Sequence, residues 1–278
     1  MLSFLSPSGR GSGFDKAVPA LVLLLAFFVV PVAALLSRSV TEPQLGLQNY
    51  LALLGSSTYL RIFLNTFLVS GVVTLITALI AFPVAWLLAI CTPLMARLLF
   101  SVILLSMWTN LLARTYAWMV LLQQTGLINR MLMASGLIEK PLQLTNNLVG
   151  VTIGMVYIML PFMILPLYGV IKKIDPAILQ AAALCGATKG QALRRVLLPL
   201  AMPGIASGAL MVFVMSLGYF VTPSLLGGTA NMMLAELIVQ QVQSLVNWGM
   251  GGAAAFILLV VTLAIYALQL RLFSRGNG

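Results

Sequence analysis

Asn110, Arg114 and Trp118 are spaced four apart, so on one helix they set an amide, a guanidinium and an indole along a single face. Inside an apolar segment such a face offers hydrogen-bond donors and a π surface to a passing polar solute. An arginine within a span is expensive and by default marks function. Nearer the outer end of the span, its long stem would instead let it snorkel to headgroups or pair with a neighbouring subunit. Ser216, Tyr219 and Pro223, with Phe213 and Phe220 beside them, make a second stripe at helical spacing. Aromatic faces attract ammonium groups; plain helix packing explains the same stripe, and for Phe213 it is the better account. Glu236, the one acid of the late outer loop, reads either as a contact for a cation or an external partner, or as a solvated loop residue. Trp108 and Trp248 suit anchors at a membrane interface.

Hydrolytic and metal chemistry have little to work with. The chain holds five acids (Asp15, Glu42, Glu139, Asp175, Glu236) and no histidine. No two of those acids share a helical face, so neither paired carboxylates nor a ligand cluster is available for a catalytic site. No Gly-x-x-x-x-Gly-Lys-Ser/Thr loop occurs, so the phosphate cradle of an ATPase is missing. Cys91 and Cys185 are isolated, which points to neither a disulfide nor a metal site.

The elements that position these residues follow from composition. Of 278 residues, 61% are hydrophobic and 7% charged, against roughly 25% charged in a soluble domain. That is too little polar surface to coat a water-soluble particle, and the chain reads as an integral membrane protein. The net charge of +10 fits lysine- and arginine-rich cytoplasmic loops better than nucleic-acid binding.

Six apolar stretches reach the length of a span, about 20 residues: 17–36, 62–90, 98–122, 147–171, 203–226 and 251–273. With the N-terminus inside, Arg10, Lys16, Arg97, Lys172, Lys173, Lys189, Arg194, Arg195, Arg271 and Arg275 fall in the cytoplasm. Arg38, Arg61, Arg114, Arg130 and Lys140 fall outside. Ten against five places both termini in the cytoplasm. The organisation is a cytoplasmic segment at 1–16, a transmembrane domain at 17–273, a cytoplasmic loop at about 172–202 and a tail at 274–278. A short interfacial helix is expected in the outer loop 39–61, a broken helical hairpin in 123–146 and a re-entrant or surface helix in 227–250.

The loop at 172–202 is punctuated for a purpose. Asp175-Pro176 starts a helix with a cap and a first-turn proline; Ala181–Ala183 sustain it; Gly186 breaks it. A second short helix through Gln191–Val196 carries Arg194 and Arg195, and Pro199 and Pro203 end it before the fifth span. On spacing alone this is either a lever that docks a soluble partner or an ordinary loop of two amphipathic helices.

The run Gln180-Ala181-Ala182, Gly186-Ala187, Leu198-Pro199 and Pro203-Gly204 resembles the cytoplasmic EAA loop of type I ABC-importer permeases. Trp108-Thr109-Asn110, Arg114-Thr115-Tyr116-Ala117-Trp118, Asn129, Thr222-Pro223-Ser224-Leu225-Leu226-Gly227-Gly228 and Asn247-Trp248 are similar to the polyamine-type members. The resemblance spans roughly 15–273 and implies the all-α, six-helix, MetI-like permease fold of a bacterial inner-membrane importer. It implies a second, homologous permease as heterodimer partner, two copies of a cytoplasmic ATPase holding ATP and magnesium, and a periplasmic solute-binding protein. It carries no cofactor and no catalytic residue to this chain. It gives Gln180, Ala181, Ala182, Gly186, Ala187, Lys189 and Arg194 as the coupling contacts. Trp108, Asn110, Arg114, Tyr116, Trp118, Ser216, Tyr219 and Glu236 are candidates for the solute path. The implied solute is spermidine or putrescine, with an opine, an amino-acid derivative or an organophosphonate as the alternative. A secondary transporter or channel fits less well, since the spans carry no acids for ion coupling and show no inverted repeat. A membrane scaffold without a pathway fits poorly with the polar cluster at 108–118. One position departs from the motif: Gln180 stands where the family has glutamate, keeping hydrogen-bonding capacity without the charge.

Overall fold

The computed structural model describes residues 13–274; Arg10 and Arg275, two of the charges used to orient the chain, lie outside them. Helix α1 comprises Gly13–Leu24, a π-turn at Leu25–Val29 and Val30–Thr41. There follow α2 (Gln48–Gly55), α3 (Ser57–Ile90), α4 (Pro93–Trp108), α5 (Leu111–Leu122), α6 (Leu127–Ala134) and α7 (Leu148–Ile171). Then come α8 (Pro176–Leu184), α9 (Lys189–Leu217), α10 (Val221–Leu226), α11 (Leu234–Val239) and α12 (Trp248–Ser274). Five of these helices, α1, α3, α7, α9 and α12, are long and apolar enough to cross a membrane; α4 and the stretch after it make a sixth if the bent pair counts as one span.

Two expected spans differ from the sequence reading. The third, 98–122, is not one helix: Pro93–Trp108 and Leu111–Ala134 meet at 98°. The break has a local cause. Thr109 is extended, and the Asn110 side chain accepts from Leu112 N at 2.9 Å and Ala113 N at 3.3 Å. A side chain that caps the following turn competes with continuation of the preceding helix. The fifth, 203–226, ends at Leu217, and Gly218–Phe220 separate it from α10. At its other end the helix begins earlier than expected. Pro199 and Pro203 do not end a loop helix; α9 runs through both. A π-turn at Leu193–Leu197, with Leu198 N–H reaching Leu193 O, lies immediately before Pro199. Proline lacks the N–H that a regular turn directs four residues back and its ring crowds that carbonyl, so a widened turn just upstream relieves both problems. The π-turn before Pro31 in α1 does the same, with Val30 N–H on Leu25 O.

Helix α7 is the axis of the bundle. In its most apolar window 56% of residues are buried, against none in α1. Met155, Met159, Met163 and Leu167 of α7 share a core with Val69, Val73 and Ala81 of α3 and with Ala201 and Val212 of α9. Close approach of α9 to α7 depends on missing side chains. A Cβ on Gly204 would lie 3.1 Å from the Leu167 Cα, and one on Gly208 2.6 Å from the Met163 sulfur. Small residues serve this purpose where lipid removes the hydrophobic drive between helices. A satellite core of Leu53, Ile62, Leu234, Leu237, Ala253 and Ala254 joins α2, α3, α11 and α12. Apolar side chains such as Phe27, Leu64 and Leu79 face outward, as expected of a surface solvated by lipid.

The segments 39–61, 123–146 and 227–250 hold the short helices α2, α6 and α11. Asn129 of α6 is buried and clamps its loop: Nδ2 donates to Gln123 O and Leu142 O, and Oδ1 accepts from Leu142 N. Its role is thus to close the loop between α5 and α7.

Candidate functional site

The loop between α7 and α9 is built as its residues suggest. The Asp175 carboxylate accepts from Ala177 N at 2.9 Å and Pro176 opens α8. At the other end, Gly186 N donates to Ala183 O and Ala187 N to Ala182 O, with Gly186 at φ +81°. That is the double-bonded helix stop in which glycine takes the left-handed position. Thr188 and Gln191 then form a reciprocal capping box that starts α9. Because α9 continues without a break to Leu217, the loop is joined rigidly to the interior of the bundle.

Gln180, Ala181, Gly186, Lys189 and Arg194 are exposed on this loop, while Ala182 and Ala187 are half-buried. Sequence reasoning missed the largest feature. Leu184 is 90% exposed at the tip of α8, and Ile178 is 42% exposed. With Ala181 they form a stripe at three-residue spacing, opposite Leu179, and that spacing was the available signal. Lys172, Lys173, Lys189, Arg194 and Arg195 are all exposed on the same loop. Beneath α8, a cavity of about 240 Å³ separates it from Trp86 near the C-terminal end of α3, with Ala183, Ala187 and Ala192 in its wall.

The second group of candidates is only partly brought together. Asn110 is spent on capping α5 and does not share a helical face with Arg114 and Trp118. Trp108 and Tyr116 are exposed. Trp118 packs its ring 5.6 Å from Tyr157 of α7. The face of α5 that meets the bundle carries Thr115, whose Oγ1 lies 3.5 Å from Thr222 Oγ1 of α10. Arg114 is half-buried within electrostatic reach of Tyr219, with its Nε buried and without a hydrogen-bond partner, and the Tyr219 hydroxyl is buried beside Thr222. Ser216 is fully buried with its Oγ likewise unmatched. Ser216, Tyr219 and Pro223 do not form one helical stripe, because the chain breaks between α9 and α10. The structure therefore gathers Arg114, Thr115, Ser216, Tyr219 and Thr222 at that break and leaves Trp108, Asn110 and Tyr116 at the periphery. Glu236 stands apart on α11, half-buried, and burial pushes its carboxyl above the usual carboxylate range.

These features match a known architecture. Residues 52–276 match the family described as "Binding-protein-dependent transport system inner membrane component". The chain belongs to that family. It is 36% identical over 231 residues to the spermidine/putrescine transport system permease protein PotB of Haemophilus influenzae, covering 83% of this chain and 79% of that one. It is 35% identical over 245 residues to the inner membrane ABC transporter permease protein YdcU of Escherichia coli K12, covering 83% and 76%. A 125-residue stretch is 35% identical to the spermidine/putrescine permease PotC of Shigella flexneri, 43% of this chain and 46% of that one. Among solved structures, a bacterial ABC transporter that imports the acidic polysaccharide alginate superposes with a TM-score of 0.76 at 20% identity, over 94% of both chains. A second structure of an alginate transporter, in complex with its periplasmic protein, gives 0.74 at 19% identity, over 92% and 91%. The chain is thus a permease subunit of an ABC importer, with the fold of that class.

Proposed function

We propose that this permease carries a polyamine, spermidine or putrescine, into the cytoplasm, with ATP hydrolysed on a separate pair of subunits. The observation that carries the solute is the similarity to PotB across four-fifths of the chain. The observation that carries the coupling is Leu184, 90% exposed at the tip of α8 and separated only by residues 185–188 from α9, which runs unbroken into the bundle interior. Burying one leucine contributes about 1.5–3 kcal/mol, and the exposed cations of the same loop favour a partner groove with an acidic rim. In this reading Ile178, Gln180, Ala181, Leu184, Gly186, Lys189 and Arg194 dock the ATPase, which holds the ATP and magnesium. The likeness to PotC supports a second permease beside this one, and the complexed alginate transporter supports delivery by a periplasmic binding protein. Both termini and the loop at 172–202 lie in the cytoplasm, and the solute passes the break between α9 and α10.

The test is reconstitution with the second permease, the ATPase and the binding protein from the same source. Saturable, ATP-dependent uptake of labelled spermidine, competed by putrescine, is the expected result. Uptake of some other solute with neither polyamine transported would overturn the assignment. Orientation is checked separately, in a background lacking Cys91 and Cys185. Lys189→Cys should react with an impermeant thiol reagent from the cytoplasm and Glu139→Cys from outside. Reaction of both from one side, or the reverse pattern, would refute it.

A further inference from the structure

Among the described side chains the acids are Glu42, Glu139, Asp175 and Glu236, and three of the four have ordinary explanations. Glu42 pairs with Arg38 at 3.7 Å, Asp175 caps α8, and Glu139 is exposed on an outer loop. Glu236 is different. Its Oε2 is shielded from solvent and has no hydrogen-bond partner. No cation among the described residues pairs with it. The backbone N–H of Met233, three residues earlier, favours the charged form, while Oε2 stays unmatched.

The helix that carries it is nonetheless held firmly. Leu234 N donates to Thr66 Oγ1 at 2.8 Å, and Thr66 is itself buried in α3. Leu234 and Leu237 pack into the satellite core with Ala253 and Ala254 of α12. The helix bearing Glu236 is therefore pinned to two spans. A buried charge without a partner is unfavourable until a counter-charge arrives, and a fixed site spends nothing on reorganisation when it does. A primary ammonium suits such an oxygen: it is compact, positive and carries three donors. Its counterpart Arg114, at the break between α9 and α10, has the wrong sign for such a group.

We infer that Glu236 is the carboxylate that receives a primary ammonium group of the solute on its way through the permease. This rests on the polyamine reading above, whose substrates end in such groups. The competing account is that Glu236 only caps α11. The two separate cleanly, because glutamine at this position of a helix makes the same capping bond without the charge.

The experiment uses the complete transporter in proteoliposomes with its binding protein, measuring labelled spermidine accumulated and ATP hydrolysed in the same vesicles. For Glu236→Gln, accumulation should fall about tenfold or more while hydrolysis stimulated by the binding protein stays within about twofold of the parent, as expected when one partner of a buried charge contact is lost. Glu236→Asp, which keeps the charge, should retain more accumulation than Glu236→Gln. Accumulation by Glu236→Gln equal to the parent would leave the residue as a cap and overturn the inference. So would a parallel fall in accumulation and hydrolysis, which would mark a scaffolding role. A parent complex that accumulates no polyamine is a different failure, removing the polyamine reading itself and this inference with it.

Discussion

Replacing Gly186 with tryptophan is expected to stop transport while the spans still insert and pack. Gly186 sits at φ +81°, and a Cβ built there meets nothing within 4 Å. Within this chain, then, the first atom of a side chain meets no steric clash. Its penalty is conformational, about 1–2 kcal/mol for an L-residue held left-handed, and falls on the end of α8 alone. The damage to transport must come from outside the chain, where the space beside Leu184 is filled by the docked ATPase in the proposed assembly. A close-packed contact has no room for an indole. Gly186→Asn is the matched control, since asparagine accepts the left-handed conformation and is small; it should keep most of the uptake. Gln180→Glu should also be tolerated, and Gln180→Leu should do more harm because it removes the polar group. The measurement is ATP-driven uptake together with co-purification of the ATPase at equal expression. Normal uptake by Gly186→Trp would mean that this loop does not couple the two.

Much of this loop was legible because its punctuation is local. Asp175-Pro176 and Gly186 each act through bonds to residues two to five positions away, so their meaning survives without knowledge of the rest of the fold. The spans were legible for a different reason: long apolar runs announce burial in lipid whatever their neighbours are. Hydropathy is blind to direction, however. The run 98–122 is apolar throughout, yet Asn110 turns the chain by capping the helix that follows it. The same residue defeated the reading of a single polar face, because i, i+4 spacing has meaning only inside one helix. Pro199 and Pro203 misled in the opposite sense. They were expected to stop a helix, and a π-turn absorbs the first of them without interruption. The unmatched oxygen of Glu236 was beyond reach of sequence, since its burial follows from tertiary packing of α11, whose contacts include Leu234 with Thr66, 168 positions apart.

The largest effect on the fold itself is expected from Gly252→Leu. Helix α1 is the least buried of the spans, and its attachment to the bundle runs along α12. A Cβ on Gly252 would stand 2.5 Å from the Leu35 carbonyl oxygen and 3.3 Å from Ser39 N. Those are backbone atoms, so no rotamer change can make room. Helix α1 would have to move away, and a small polar clamp would be lost with it. The Asn49 Nδ2 donates to Ser39 O at 2.9 Å and Glu42 O at 2.7 Å, and the Ser39 hydroxyl lies 2.8 Å from the Tyr50 hydroxyl. Overpacking of this kind costs about 1–3 kcal/mol, and each forfeited hydrogen bond about 1 kcal/mol more. Gly252→Ala should show a smaller loss of the same sign. Gly71→Ala in α3 is the control, because a Cβ there meets nothing within 4 Å. Thermal unfolding in detergent, with limited proteolysis of the α1–α2 connection, measures the outcome. A parent-like unfolding temperature and cleavage rate for Gly252→Leu would show that α1 is held by something other than its contact with α12.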